Sequence, residues 1–111
     1  MQVTEVSASL QQIALSGFLD AAAVERLEPQ FAAAVAAADR DTILDLSGVD
    51  YCGSLGIRMM LAAAKALQKR GRKLVLAAPQ PPVRTVLETV GIGSLVPMTA
   101  SVGDARHQLG A

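Results

Sequence analysis

"ILDLSGVDYCGSLGIRMM", residues Ile43 to Met60, changes character halfway along. Thr42 to Leu46 is a short run rich in branched residues, the pattern of a buried central strand. After Asp45, Ser47 and Gly48 the chain is expected to turn, and from Leu55 a different period sets in. Ile57, Met60, Leu61, Ala64 and Leu67 recur at helical spacing, while Arg58, Lys65, Gln68 and Lys69 fall largely outside that stripe. Lys69 and Arg70 suit the negative end of a helix, and Gly71 suits the residue just beyond it. A strand, a glycine-flanked serine (Ser54) and a helix running to Arg70 therefore follow one another.

Upstream, Val3 to Val6 and Gln12 to Gly17 alternate apolar and polar residues and read as a hairpin or a pair of edge strands. Asp20 precedes "AAAVERLEPQFAAAVAA", in which Val24, Leu27, Phe31 and Val35 share one helical face, and is placed to cap that helix. Downstream, "RKLVLAAP" is a second buried strand. Pro81 and Pro82 then suit the first turn of a helix whose apolar face is Val83, Val86, Leu87 and Val90 and whose stop is Gly91 with Gly93. "SLVPM" is a short last strand, and Ser101 with Asp104 resembles a capping box opening a final helix to Leu109. The order is ββαβαβαβα. Helices of this length between strands imply a parallel sheet, with the first hairpin adding antiparallel pairing at one side. The expected fold is a single α/β domain over residues 1–111, a mixed sheet with a parallel core and crossover helices.

Composition narrows the function. A chain of 111 residues buries roughly two thirds of the surface that its unfolded form exposes, enough for one domain. Ten basic residues balance ten acidic ones, which disfavours nucleic acid as a partner. The longest apolar runs fall well short of the ~20 residues of a membrane span, and "MQVTEVSASL" lacks the pattern of a signal peptide, so a cytoplasmic protein with no direct membrane insertion is expected. One cysteine and one histidine cannot fill a zinc site, and no cofactor is implied.

The loop after a central parallel strand lies at the edge where binding sites usually form, so the chemistry open to Ser54 matters. Gly48-x-x-x-x-Gly53-Ser54 has the glycine spacing of a phosphate loop but lacks its lysine. Cys52-Gly53-Ser54-Leu55-Gly56 approaches a hydrolase elbow, and Asp104 and His107 follow in triad order, but those two residues sit three apart on one short helix. Cys52 reads as a small buried hydrophobe, Met59 and Met60 as helix core, and Gly91-Ile92-Gly93 as a helix stop. Two readings of Ser54 remain. It is a modification site, where a phosphate of about −1.5 to −2 charges would meet the positive end of a helix, or it simply caps that helix through its hydroxyl. Local chemistry alone favours the cap, worth about 1 kcal/mol.

The order of elements, with "SGFLD", "ILDLSGVDYCGSLGIRMM" and "GRKLVLAAPQPPVRTVLETVGIGSLVPM", resembles the STAS family over nearly the whole chain, and in particular the bacterial anti-sigma factor antagonists. The family's turn usually reads Asp-Ser-Ser/Ala-Gly, matched here by Gly53, Ser54, Leu55 and Gly56. The resemblance implies that Ser54 is phosphorylated by a partner anti-sigma factor, a serine kinase of the histidine-kinase-like ATPase type, and restored by a serine phosphatase. It also implies a partner surface of Asp20, Gly53, Ser54, Leu55, Gly56 and Arg58, on a chain that catalyses nothing itself. Two departures are a glycine in place of the usual carboxylate, leaving the loop less acidic and more flexible, and a bulky Leu55 in place of a small residue. The resemblance also admits a cytoplasmic accessory subunit of an ABC-type lipid transporter, binding its ATPase. A serine hydrolase built on Ser54 is a weaker alternative, because no general base is identifiable.

Overall fold

In the computed structural model, which describes residues 1–110, strand β1 (Gln2–Ser7) pairs antiparallel with β2 (Leu10–Leu19). From β2 onward the sheet is parallel, through β3 (Asp41–Cys52), β4 (Leu74–Ala77) and β5 (Met98–Thr99). Spatial order equals chain order, β1-β2-β3-β4-β5, because each crossover helix carries the chain one place across the sheet. Those helices are α1 (Ala21–Ala37), α2 (Ser54–Gln68) and α3 (Pro81–Thr89); a 3₁₀ turn (Ile92–Ser94) follows α3, and α4 (Val102–Gln108) follows β5. The expected order ββαβαβαβα is the observed one.

Alternation along the strands divides the apolar residues between two faces. Leu44 and Leu76 join the larger core with Val24, Phe31 and Val35 of α1, Met59, Met60 and Leu67 of α2, and Val83 and Leu87 of α3. Ile43 and Val75 point the other way, onto Ala105 and the partly buried Val102 of α4 and Leu109 just beyond its end. Each fully buried leucine or methionine contributes roughly 1.5–3 kcal/mol relative to its exposed state. The α1 stripe behaves as its spacing requires, with Leu27 partly buried at its margin. At the head of α1 the Ala23 N–H donates to the Asp20 carboxylate at 2.9 Å, satisfying one of the helix's unpaired donors. Asp20→Ala should therefore lower the unfolding free energy by about 1 kcal/mol, read as an earlier denaturant midpoint with an unchanged slope.

Three details depart from the expected elements. First, β3 does not stop at Leu46 but runs on to Cys52. β4 pairs only with Thr42 to Asp45, whereas β2 keeps pairing until Leu19 meets Cys52. Two register shifts on that side, between Ala14 and Ser16 and between Gly17 and Phe18, each admit one extra β3 residue. The polar residues that suggest a turn thus form a bulge. The Ser47 N–H donates to the Asp45 carboxylate at 3.0 Å, and Gly48 fits where a Cβ would lie 3.2 Å from the Leu15 carbonyl. On the side that β4 has left, the Gln80 amide donates to the Ser47 carbonyl at 2.9 Å and to the Asp50 carboxylate at 3.3 Å.

Second, only Val83 and Leu87 of the α3 stripe are buried, while Val86 and Val90 face outward. Gly91, at φ 74°, reverses the chain so that Ile92 fills the core instead. Third, "SLVPM" is not a strand: Ser94 belongs to the 3₁₀ turn, Leu95 is exposed, and pairing begins only at Met98. Pro97 has no N–H to give, although its carbonyl accepts from the Leu76 N–H at 2.9 Å. In α2, Met59 and Ala63 are buried beside the expected stripe and Leu61 lies at its edge.

Candidate functional site

β2 and β3 end level with one another, Leu19 opposite Cys52, and each strand leads directly into a helix. The Gly53 N–H donates to the Leu19 carbonyl at 3.1 Å, tying the two exits together. Asp20 and Gly53 are the N-cap residues of α1 and α2, so two helix N-termini emerge side by side at one sheet edge. Ser54 is the first residue of α2 and not its cap. The first helical bond runs from the Ile57 N–H to the Gly53 carbonyl at 3.1 Å, and the cap makes no side-chain bond. The Ser54 side chain is exposed, and its hydroxyl makes no hydrogen bond among the described residues. The capping role favoured by local chemistry is therefore overturned, because α2 begins one residue earlier than its apolar period suggests, at Ser54, which leaves Gly53 in the cap position. What stands at the helix start is an uncommitted hydroxyl next to unpaired backbone donors.

Gly53 has φ −89° and ψ −178°, an extended conformation that any residue adopts. Space is the tighter constraint: a Cβ there would lie 3.2 Å from the Tyr51 hydroxyl oxygen and 3.4 Å from its ring. Tyr51 thus leans across the residue that precedes Ser54. Its ring stacks on Phe18, its register partner on β2, with centroids 5.9 Å apart and planes at 23°. Both rings are largely exposed, Phe18 at 64% and Tyr51 at 47%. Neither residue stands out in a search for catalytic groups. The available signal was alternation, since each ring precedes a core residue, Leu19 or Cys52, and so faces away from the core.

Leu55 and Arg58 lie on the other side of the α2 start, lining a shallow groove with Ala21, Val24, Glu25 and Glu28 of α1. Gly56 is buried, and a Cβ on it would lie 2.9 Å from the Cys52 sulfur and 3.5 Å from the Leu19 Cβ. Of the residues expected at a partner surface, Asp20, Ser54, Leu55 and Arg58 are exposed or partly so, Gly53 is half-buried, and Gly56 supports the loop from below. Cys52 is a free, buried thiol whose pKa is pushed up by burial, which keeps it protonated and unreactive. In the native chain it should react with an aromatic disulfide reagent on the order of 100-fold more slowly than in denaturant, as followed by thiolate release.

The remaining sequence candidates do not converge on Ser54. Gly48 lies inside β3, so no phosphate-cradling loop runs from it to Gly53. Asp104 and His107 sit on α4, which covers the opposite face of the sheet from α2, so the elbow has no triad. No group of three or more metal-ligating side chains occurs among the described residues, and no helix there is long and apolar enough to cross a membrane.

Comparison with known proteins points the same way. Residues 3–97 match the family model described as "Mlab, STAS domain". The chain is 39% identical over 87 residues to the putative anti-sigma factor antagonist BtrV of Bordetella bronchiseptica, covering 78% of this chain and 75% of that one. The anti-sigma factor antagonist SpoIIAA in its unphosphorylated form superposes with a TM-score of 0.81 at 25% identity, covering 99% of this chain and 96% of SpoIIAA. The phosphorylated form of the Bacillus cell fate determinant SpoIIAA gives 0.71 at 24% identity, with 97% of each chain covered. With residues 3–97 on the family model and 78% of its length aligned at 39% identity with BtrV, the chain belongs to the STAS domain family, of the anti-sigma factor antagonist type.

Proposed function

We propose that this protein is a cytoplasmic partner switch that binds an anti-sigma factor when Ser54 is free and releases it when Ser54 is phosphorylated. The observation that carries this reading is the exposed Ser54 hydroxyl, unbonded at the start of α2, on a chain similar to anti-sigma factor antagonists. The partner is a serine kinase of the histidine-kinase-like ATPase type. It transfers the γ-phosphoryl group of ATP to the Ser54 oxygen while a base of the kinase takes the hydroxyl proton, and a serine phosphatase hydrolyses the ester. This chain supplies the acceptor and the docking surface of Asp20, Gly53, Ser54, Leu55 and Arg58, held up by Gly56, and catalyses nothing. The fold tolerates the dianion because backbone donors and the helix dipole face it. A partner packed over it does not, because the charge must then leave water.

A second reading is favoured by Gly53, which removes the carboxylate that usually precedes the acceptor: an accessory subunit that binds the ATPase of an ABC-type lipid transporter. Affinity capture from the source cell with identification of the bound protein separates the two. An anti-sigma factor retained by the wild-type chain and lost with Ser54→Asp is the expected result. A transport ATPase whose binding ignores Ser54→Asp would overturn it.

A further inference from the structure

The chain has three aromatic side chains, and two of them, Phe18 and Tyr51, are exposed and stacked on each other at the sheet edge that carries Ser54. Exposed aromatic pairs fill no void and anchor no core; they are the side chains most enriched at the centres of protein interfaces. Each ring adjoins a carboxylate along the chain. Asp50 precedes Tyr51, and Asp20 follows two residues after Phe18. Asp20 is engaged only by the Ala23 N–H and Asp50 only by the Gln80 amide, and neither is ion-paired among the described residues. Tyr51 also reaches across Gly53, bringing its hydroxyl to the residue before Ser54.

We propose that the Phe18–Tyr51 stack is the apolar anchor by which this protein selects its anti-sigma factor, receiving an aliphatic side chain of that partner whose basic residues meet Asp20 and Asp50. The inference rests on the reading of Ser54 given above and adds the specificity element to it. The rings, together with the exposed, un-ion-paired carboxylates that flank them along the chain, match the apolar centre and polar rim of an interface. The charge of those carboxylates calls for cations opposite. The position beside Ser54 explains how one phosphate disrupts the contact, since a dianion at the border of an apolar patch must be desolvated when the patch is covered. Gly53 has a reason in the same geometry: the phenol occupies the space that a side chain before the acceptor would enter.

Calorimetric titration of the purified anti-sigma factor into the wild-type chain, Phe18→Ser/Tyr51→Ser and Val90→Ser tests this. Val90 is an equally exposed apolar residue at the far end of α3, and serves as the control. The double variant is expected to bind about 30-fold or more weakly, with its melting temperature retained, while Val90→Ser binds as the wild type does. Asp50→Asn should weaken binding and flatten its dependence on salt. Equal affinity of the double variant and the wild type overturns the proposal alone, as does a loss shared by Val90→Ser. A wild-type dimer in sedimentation that the double variant abolishes also overturns it, because a second copy is then the occupant. No binding by the wild-type chain removes the reading of Ser54 and this proposal together.

Discussion

Phosphorylated at Ser54, the chain is expected to bind its anti-sigma factor on the order of 100-fold or more weakly, because burying a dianion costs several kcal/mol. Its own melting temperature should hold or rise slightly, since a negative charge at a helix N-terminus stabilises by about 0.3–1 kcal/mol. The two readouts move in opposite directions because the same charge meets backbone donors within the fold and a low-dielectric contact in the complex. Ser54→Ala separates this account from a capping role. The hydroxyl makes no cap bond, so the alanine variant should stay within about 0.5 kcal/mol of wild type in denaturant unfolding. It should also keep its partner and become insensitive to ATP. A loss of about 1 kcal/mol on Ser54→Ala would restore the cap reading.

Gly56→Ala should destabilise the protein, and Cys52→Ala should relieve much of that loss. The added methyl would approach the Cys52 sulfur to 2.9 Å, closer than any ordinary carbon–sulfur contact, while its other neighbours, Leu19 Cβ at 3.5 Å and the Leu19 carbonyl at 3.6 Å, are at normal distance. Overpacking of this kind costs typically 1–3 kcal/mol, set against up to about 1 kcal/mol gained from alanine's helix propensity. With the sulfur gone the clash disappears and the propensity gain remains. A double-mutant cycle in urea should therefore return a favourable coupling of about 1–2 kcal/mol between the two sites. Additive effects would mean that Gly56 is held by the Leu19 backbone and not by Cys52. Because Cys52 ends β3 and Gly56 lies in the first turn of α2, the pair also fixes how Ser54 is presented. Gly56→Ala should weaken partner binding beyond its effect on stability, and Cys52→Ala should recover it.

Much of this was legible in the chain itself. Asp20 before an apolar stripe, Leu44 and Leu76 flanked by helices, and Gly91 after Val90 each couple a local signal to one backbone outcome, and their order fixed the topology. The end of β3 was not legible, because Asp45, Ser47 and Gly48 have the chemistry of a turn. Only pairing with β2, a contact between segments distant in sequence, turns them into a bulge. The helix start was off by one residue as well: α2 begins at Ser54 and not at Leu55, so Gly53 takes the cap position and the Ser54 hydroxyl is left free. Phe18 and Tyr51 escaped notice for a similar reason: on separate strands each is an ordinary aromatic residue, and only the β2–β3 register makes them a pair. The outward Val86 and Val90 show the converse limit, a helical stripe wider than the surface available to cover it.

The most direct test of the switch is the position of the phosphate. After incubation with the anti-sigma factor and ATP, trypsin cleavage at Arg40 and Arg58 releases the segment from Asp41 to Arg58, which contains Thr42, Ser47 and Ser54. Tandem mass spectrometry should find one phosphate on that segment, assigned to Ser54 and absent from Ser54→Ala. A phosphate on Ser47, or a stable complex in which ATP leaves the segment unmodified, would contradict a switch built on the first residue of α2.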